Sequence, residues 1–176
     1  AATGSYDELS GYSNYGSWVD VAAPGGNISP TILSTVPATG GRLTDPSGYR
    51  SIQGTSMAGP YVAGLAGLII SQYPDFTQEQ VRFVISSTSD VLPSLNGIIR
   101  FGRVNVEAAM NVGTGNLTPH VYAGADQTLY FPTNLANLEG VVLDDGQPEG
   151  ASVTYQWSVM SGPSGAVIAD PASLNT

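Results

Sequence analysis

One apolar run constrains the fold of this 176-residue chain more than any other feature of its sequence. From Met57 to Ile70 every residue is apolar or small, and none carries a charge. A helix of this composition has no polar stripe, so we expect it to be buried on every side. The run is shorter than the roughly 18 apolar residues that a membrane span requires. It therefore predicts a helix at the centre of a folded domain.

Two further helices are indicated by local signals around this run. Pro74 ends the apolar helix, because proline cannot supply the amide that a continuing helix needs. Thr77 and Gln80 have the spacing of a capping box, which predicts the start of an amphipathic helix that packs on one side. Asn105 is expected to cap a short third helix over residues 106–110.

The segment before the apolar helix is predicted to consist of short strands and loops. Residues 17–22 alternate between apolar and polar side chains, as a strand does, and Pro24 stops the pattern. A second extended segment is expected over residues 31–36. Residues 49–53 then return toward Gly54, where the helical pattern begins.

The charges are mostly negative and unevenly distributed. Residues 1–113 contain eight acidic residues and five arginines, a net charge of −3, whereas residues 114–176 contain six acidic residues and no base, a net charge of −6. Phosphate binding needs clustered positive charge, so neither nucleic acid nor an anionic membrane is an expected partner. The absence of cysteine excludes disulfides and thiolate metal sites.

The composition and the hydrophobic pattern of the sequence change near residue 114. Residues 114–118 are small and polar and are predicted to be a linker between a first domain, residues 1–113, and a second, residues 119–176. Beyond the linker, alternating segments separated by turns are typical of an antiparallel β-sandwich. The predicted strands lie within residues 127–131, 138–143 and 152–159.

Ser56 stands where a loop turns into the apolar helix, and its neighbours suggest two interpretations. Gly54 allows close approach of another backbone or a substrate, and a helix N-terminus offers free amides to a developing negative charge. Pro60 has no N–H, so the Ser56 carbonyl loses its helical hydrogen bond. These features suit a nucleophile, but a serine at a helix start is more commonly a simple cap.

Four ordered stretches resemble one known family. Residues 54–64 read Gly-Thr-Ser-Met-Ala-Gly-Pro-Tyr-Val-Ala-Gly, which is similar to the nucleophile motif of subtilisin-like serine proteases. Residues 12–25 resemble the segment that precedes the nucleophile in that family. Residues 73–81 and 102–109 resemble its closing helices.

The resemblance implies a fold and a mechanism. It makes the first domain the C-terminal portion of a three-layer α/β/α domain, which is an α/β fold. It also implies a Ser–His–Asp hydrolase acting on protein or peptide substrates, with Ser56 attacking the peptide carbonyl. Gly54, Thr55 and the backbone amide of Ser56 are implied to contact the substrate or its oxyanion.

The family order of catalytic residues places Asp, His and the oxyanion Asn before the serine. No histidine lies among the 55 residues before Ser56. The only histidine, His120, follows Ser56 and is expected to be a solvated linker residue. We therefore expect an N-terminal part of the catalytic domain to be missing and required for activity. Alone, the 176 residues are expected to aggregate and to hydrolyse peptides negligibly.

Several other polar side chains are expected to have structural roles and no part in catalysis. Tyr61 is expected to pack with its hydroxyl hydrogen-bonded. Asp20 is expected to be a solvated carboxylate in preference to a calcium ligand. Asp7, Glu8 and Asp45 are expected to be surface or turn carboxylates. No metal or cofactor is expected, and a structural calcium ion is the alternative.

The second domain resembles the start of a PKD-like module, which has an immunoglobulin-like fold. The resemblance implies a partial all-β sandwich in which Trp157 is the buried core residue of a central strand. Asp144, Asp145 and Glu149 are expected to form a solvated charged turn in preference to a calcium site. The implied role is spacing or substrate adhesion. The matching stretches are residues 121–128, 138–146 and 154–163.

Two functions follow from these observations. The first is a secreted, extracellular serine endopeptidase that uses Ser56. The alternative is a non-catalytic surface adhesion or binding protein that keeps a degenerate protease remnant, in which Ser56 only caps a helix. The intact motif favours the enzyme, because a remnant has no chemical need to keep Gly54 and Pro60 around a serine.

Overall fold

The computed structural model describes all 176 residues, which form seven strands and three helices. The strands are β1 (Ala2–Thr3), β2 (Val21–Pro24), β3 (Ile32–Thr35), β4 (Tyr49–Ile52), β5 (Gly102–Arg103), β6 (His120–Tyr122) and β7 (Val141–Leu143). The helices are α1 (Thr55–Gln72), α2 (Gln78–Ser87) and α3 (Val106–Met110). None of the helices is long and apolar enough to cross a membrane.

A parallel sheet of three strands, in the order β1-β2-β5, lies at the centre of residues 1–113. Ala2 pairs with Ala23, and Val21 pairs with Gly102. β2 begins at Val21, later than the predicted start at residue 17. The reason is a turn, because the amide of Val19 donates to the carbonyl of Gly16 at 2.9 Å and takes no part in a ladder.

The two faces of this sheet are covered differently. Ala2 and Ala23 belong to the main core cluster with residues of α1 and α2. Ala22, on the opposite face, packs against Leu95 and Ile99 in a segment of turns. Helices therefore cover one face of the sheet within these residues. The α/β fold is present, and the three-layer arrangement stays a prediction.

The hairpin β3–β4 leads directly into α1. Its strands are antiparallel, with Ile32 opposite Ile52 and Thr35 opposite Tyr49, and both lie within the segments predicted to be extended. Most of its side chains are exposed. The hairpin therefore delivers the chain to Gly54 and contributes little to the core.

Within these residues α1 is buried on one side only, and its burial on every side stays a prediction for the domain that includes the expected N-terminal part. Only Ala58, Leu65 and Ile69 are fully buried along the helix. Leu68 and Ile70 are 49% and 50% exposed. The helix packs on β1, β2, α2 and α3 through one side, and nothing in the described residues covers the other. Apolar residues of α1 are therefore exposed because a second packing partner is lacking, and not because the helix has a polar face.

The predicted caps of α2 and α3 are confirmed. The Thr77 hydroxyl accepts from the Gln80 amide at 3.2 Å, and the Gln80 side chain accepts from the Thr77 amide at 2.8 Å. Asn105 Oδ1 accepts from the Ala108 amide at 2.9 Å. Each cap satisfies helix-terminal amides that have no intrahelical acceptor.

The second domain shows less β-structure than the sequence predicts. Its strands β6 and β7 are antiparallel, with Val121 opposite Val142, and an isolated antiparallel bridge joins Glu139 to Asn175. Residues 127–131 and 152–159 form no strand. Trp157 is half-buried outside any strand, and its indole N–H donates to the Ser173 carbonyl at 2.9 Å. The sandwich is therefore not confirmed, and the predicted central-strand role of Trp157 is wrong here.

Candidate active site

Ser56 lies on the first turn of α1 and does not cap the helix. The N-cap residue is Gly54, and no side chain accepts a capping hydrogen bond from the first-turn amides. Ser56 is exposed, and its hydroxyl makes no hydrogen bond to the protein. The prediction that a non-catalytic Ser56 would serve as a cap is therefore wrong. Its hydroxyl is free for another partner.

The backbone of Gly54 is fixed from both sides. Its amide donates to the Gly25 carbonyl at 2.9 Å, and its own carbonyl accepts from the Met57 amide at 2.9 Å and from the Ala58 amide at 3.4 Å. Its φ of 151° lies in a region that glycine adopts without steric cost. A side chain at this position would strain the turn that presents Ser56.

The first turn of α1 has the electrostatic character predicted for it. The first amides of a helix have no intrahelical acceptor and carry partial positive charge, here at the end of an 18-residue helix. Pro60 lies inside the helix and cannot donate to the Ser56 carbonyl. Thr55 and Ser56 therefore stand at the end of the helix that attracts negative charge.

A largely apolar cleft of about 580 Å³ opens beside Ser56, between β3 and α1. Tyr61 lies on its wall and is 46% exposed. The Tyr61 hydroxyl makes no hydrogen bond, so the predicted packing with a bonded hydroxyl is wrong in this structure. The lining residues are Ile32, Leu33, Ser34, Ser56, Met57, Pro60, Tyr61, Gly64, Leu65, Leu68 and Val106.

The only histidine is not a partner of Ser56. His120 lies in β6, and its ring packs against Phe101 with centroids 5.3 Å apart. Desolvation by burial lowers the pKa of His120. The prediction of a solvated linker histidine is therefore wrong, because β6 places the ring of His120 against Phe101. The structure shows no hydrogen bond between His120 and Ser56.

Asp20 is neither a solvated carboxylate nor an open cation ligand. One carboxylate oxygen lies 2.6 Å from the guanidinium group of Arg100, and the other lies 3.2 Å from that of Arg82. Both oxygens thus already face positive charge. The predicted solvated role of Asp20 is wrong, because two distant arginines converge on it.

A second charged network was not predicted. Arg103 contacts the carboxylates of Asp7 and Asp90. A hydrogen bond from Asn105, followed by the contact with Arg103, lowers the pKa of Asp90. The network joins β5, the loop at Asp7 and the cap of α3. Sequence could not reveal it, because Asp7 lies 96 residues from Arg103.

The other predicted turn carboxylates have local partners. A hydrogen bond from Asn27 lowers the pKa of Glu8, and hydrogen bonds from Ser47 lower the pKa of Asp45. Both residues belong to turns or loops, as predicted. They lie outside the Ser56 cleft.

The acidic residues of the second domain do not act as one solvated turn. Asp145 is buried, and its carboxylate accepts from the amides of Leu117 at 2.9 Å and Gln147 at 3.0 Å. Asp144 accepts from the Gly146 amide at 3.1 Å, as a turn residue does. The described residues contain no group of three His, Asp or Glu side chains arranged to hold a metal ion. The predicted absence of a cofactor is not tested by this arrangement.

Comparison with known proteins gives two family matches. A model of the subtilase family matches residues 1–139, and a model of the K319L-like PKD domain matches residues 123–176. Both predicted resemblances are thereby confirmed. Because the two matches overlap, they leave the domain boundary at residues 114–118 as a prediction.

Individual relatives are named proteases. A thermophilic serine proteinase of a Bacillus species is 41% identical over 104 residues, which are 59% of this chain and 22% of that protein. An extracellular protease of Xanthomonas campestris is 34% identical over 164 residues, which are 92% of this chain and 26% of that protein. The chain thus spans about a quarter of the length of these relatives.

One solved structure has a similar fold. It is a protease from Pseudoalteromonas arctica with 38% sequence identity and a TM-score of 0.55, and the match covers 62% of this chain and 34% of that one. Since the subtilase model covers most of the sequence, including the whole stretch around Ser56, the chain belongs to the subtilase family of serine proteases.

Proposed function

We propose that this chain forms part of a secreted serine endopeptidase in which Ser56 is the nucleophile. The observation that carries the proposal is the free hydroxyl of Ser56, which is exposed on the first turn of α1 and has no structural hydrogen bond. Membership of the subtilase family supports it. A serine that neither caps a helix nor packs in a core is available for chemistry.

The chemical step is nucleophilic attack on a peptide bond. The Ser56 hydroxyl gives its proton to a general base as its oxygen bonds to the scissile carbonyl carbon, and the carbonyl oxygen becomes an oxyanion. The C–N bond then breaks, the amine leaves with that proton, and water hydrolyses the ester formed on Ser56. The Ser56 amide and the partial positive charge of the helix N-terminus stabilise that oxyanion. Gly54 has no side chain, so an extended substrate can approach the backbone beside Thr55.

The reaction also needs a general base, which we assign to residues outside this chain. A serine hydroxyl without a base is a weak nucleophile. His120, the only histidine, packs against Phe101 and is not hydrogen-bonded to Ser56. We assign the catalytic His and Asp, and the oxyanion Asn, to an N-terminal part of the catalytic domain that packs on the exposed side of α1.

The substrates are proposed to be extracellular proteins or peptides. The relatives named as proteases support the substrate class, and the extracellular protease of Xanthomonas campestris supports secretion. We assign residues 1–113 to the peptidase domain and residues 119–176 to a PKD-like domain that spaces or attaches it. The mechanism uses no metal or cofactor. The adhesion-protein alternative gains no support, because it required Ser56 to cap α1.

An active-site probe tests the proposal in the full-length protein. A fluorophosphonate is expected to label the wild type and to leave Ser56→Ala unlabelled. Ser71→Ala is the matched control, because Ser71 is an exposed serine at the other end of the same helix. Equal labelling of Ser56→Ala and the wild type would show that another residue is the nucleophile.

A further inference from the structure

The hydroxyl of Tyr12 contacts the backbone that holds the start of α1. It lies 2.8 Å from the Gly25 carbonyl oxygen and 2.6 Å from the Gly26 carbonyl oxygen. A tyrosine hydroxyl has one proton to donate, so the two carbonyls share it. The Tyr12 ring is partly exposed, whereas its hydroxyl reaches inward to these two glycines.

The Gly25 carbonyl receives a second hydrogen bond from Gly54, the N-cap residue of α1. The Gly54 amide donates to it at 2.9 Å. The Gly54 carbonyl in turn accepts hydrogen bonds from the amides of Met57 and Ala58, the third and fourth residues of α1. Two hydrogen bonds therefore connect the Tyr12 hydroxyl to the N-cap of the helix that carries Ser56.

The space around Gly25 leaves little freedom for these groups. A Cβ atom on Gly25 would lie 2.5 Å from the Ala2 Cβ, 2.9 Å from the Gly54 oxygen and 2.9 Å from the Tyr12 hydroxyl. The Gly25 amide is also fixed, because it donates to the Thr3 carbonyl at 3.0 Å. Only glycine fits this junction, which brings β1, Tyr12 and the start of α1 together.

Gly25 and Gly26 need a restraint from other residues if the Gly25 carbonyl is to hold the Gly54 amide in place. Glycine has the widest backbone freedom of any residue, and Gly26 adopts a positive φ of 78°. The two successive peptide groups that carry the Gly25 and Gly26 carbonyls can therefore rotate unless those carbonyls are held. The Tyr12 hydroxyl holds both carbonyls, whereas Ser10 holds only that of Gly26, at 2.8 Å.

We propose that Tyr12 is a positioning residue for the Ser56 nucleophile. Its hydroxyl fixes the Gly25 carbonyl, which fixes the Gly54 amide and hence the first turn of α1. Tyr12 contacts none of the atoms that react in the proposed step. The inference rests on the proposed function of Ser56 and adds a residue that orients it.

The test compares Tyr12→Phe with Ser10→Ala in the full-length protein. Tyr12→Phe keeps the ring and removes only the hydroxyl, and we expect kcat to fall about three- to tenfold with KM unchanged, the size of one lost hydrogen bond. Ser10→Ala removes a hydrogen bond to Gly26 alone, so kcat is expected to stay near the wild-type value. A wild-type kcat in Tyr12→Phe, or the same fall in both variants, would overturn the inference.

Amide hydrogen exchange gives a readout that does not depend on activity. In Tyr12→Phe the Gly54 amide is expected to exchange several-fold faster, while amides at the far end of α1 exchange as in the wild type. Unchanged exchange at Gly54 would refute the positioning role. Ser56→Ala, assayed in parallel, separates the two proposals. If Ser56→Ala keeps its activity, Ser56 is not the nucleophile, and this result does not depend on the behaviour of Tyr12→Phe.

Discussion

The guanidinium group of Arg100 donates a hydrogen bond of 2.6 Å to the carboxylate of Asp20, which lies 80 residues earlier in the chain. The Arg100 side chain is 19% exposed, so this ion pair is more shielded from water than that of Arg82, whose side chain is 56% exposed. Arg100 also lies over the Phe101 ring, 5.9 Å from its centroid. The carboxylate of Asp20 is therefore paired with one shielded arginine, Arg100, and one solvated arginine, Arg82.

The two arginines are expected to contribute unequally to stability. Arg100→Gln is expected to lower the free energy of unfolding by about 1–2 kcal/mol, because Asp20 loses its shielded partner. Arg82→Gln is expected to cost no more than about 0.5 kcal/mol, as exposed ion pairs usually do. Urea denaturation of the full-length protein measures both. Equal losses for the two variants would contradict this ranking.

Asn105 has two roles that substitution can separate. Its side chain caps α3 and also donates to Asp90 at 2.9 Å. Asn105→Ala is expected to lose both interactions and about 1 kcal/mol for the cap. Asn105→Ser is expected to keep the cap and to lose only the hydrogen bond to Asp90. Thermal melting of both variants at neutral pH measures this, because the difference between their stabilities is the contribution of the cap.

The Asp90 interaction has a definite pH dependence. The pKa of Asp90 is lowered from 3.8 in the folded protein, first by the hydrogen bond from Asn105 and then by Arg103. Its stabilisation is therefore present above 3.8 and is lost as the pH falls below that value toward the folded pKa. The slope of melting temperature against pH below 4 is expected to be smaller in Asn105→Ser. An unchanged slope would show that Asn105 does not set the Asp90 pKa.

Local features of the fold were predictable because their causes lie within a few residues. In each cap, the side chain of Thr77 or Asn105 accepts a hydrogen bond from the backbone amide three residues later. The helix α1 follows from its apolar run and ends before Pro74, as predicted. The identity of the family followed from the motif around Ser56 and its ordered neighbours.

Features that depend on distant partners were not predictable. The exposure of Leu68 reflects which surfaces lie near α1, and its sequence pattern alone indicated burial. Arg100 and Arg103 reach acidic partners that no periodicity connects to them. Trp157 satisfies its backbone amide through Pro171, outside any ladder, so alternation of apolar residues was misleading there. The free hydroxyl of Ser56 was not predictable either, because it depends on which groups the fold brings near the start of α1.

His120 is expected to make the contact between the two predicted domains sensitive to acid. Burial lowers its pKa below 6.5, so the folded state prefers the neutral ring against Phe101. The unfolded state then binds more protons at pH values between the folded pKa and 6.5, and stability is lost as the pH falls through that interval. His120→Gln is expected to flatten this part of the stability profile. Proton NMR titration of His120 that gives a pKa above 6.5 would contradict the prediction.

The exposed side of α1 is expected to control the solution behaviour of residues 1–176 in isolation. Leu68 and Ile70 are each about half exposed. Leu68 lines the cleft beside Ser56 together with Tyr61, whereas Ile70 lines a second cleft on the flank of α1 that faces α2. An apolar surface of this kind promotes association, so the isolated chain is expected to scatter light and to bind a hydrophobic dye. Peptide hydrolysis is expected to be negligible, because Ser56 has no base.

Substitutions on the two sides of α1 separate surface association from loss of folding. Changing Leu68 and Ile70 together to Ser is expected to reduce both scattering and dye binding while the helical circular dichroism is kept. Leu65→Ser is the matched control on the buried side, where Leu65 is 1% exposed, and it is expected to unfold the chain. If the wild-type chain is instead monomeric and binds no dye, the exposed side of α1 is not the surface that needs a partner, and the catalytic His and Asp would have to be sought elsewhere.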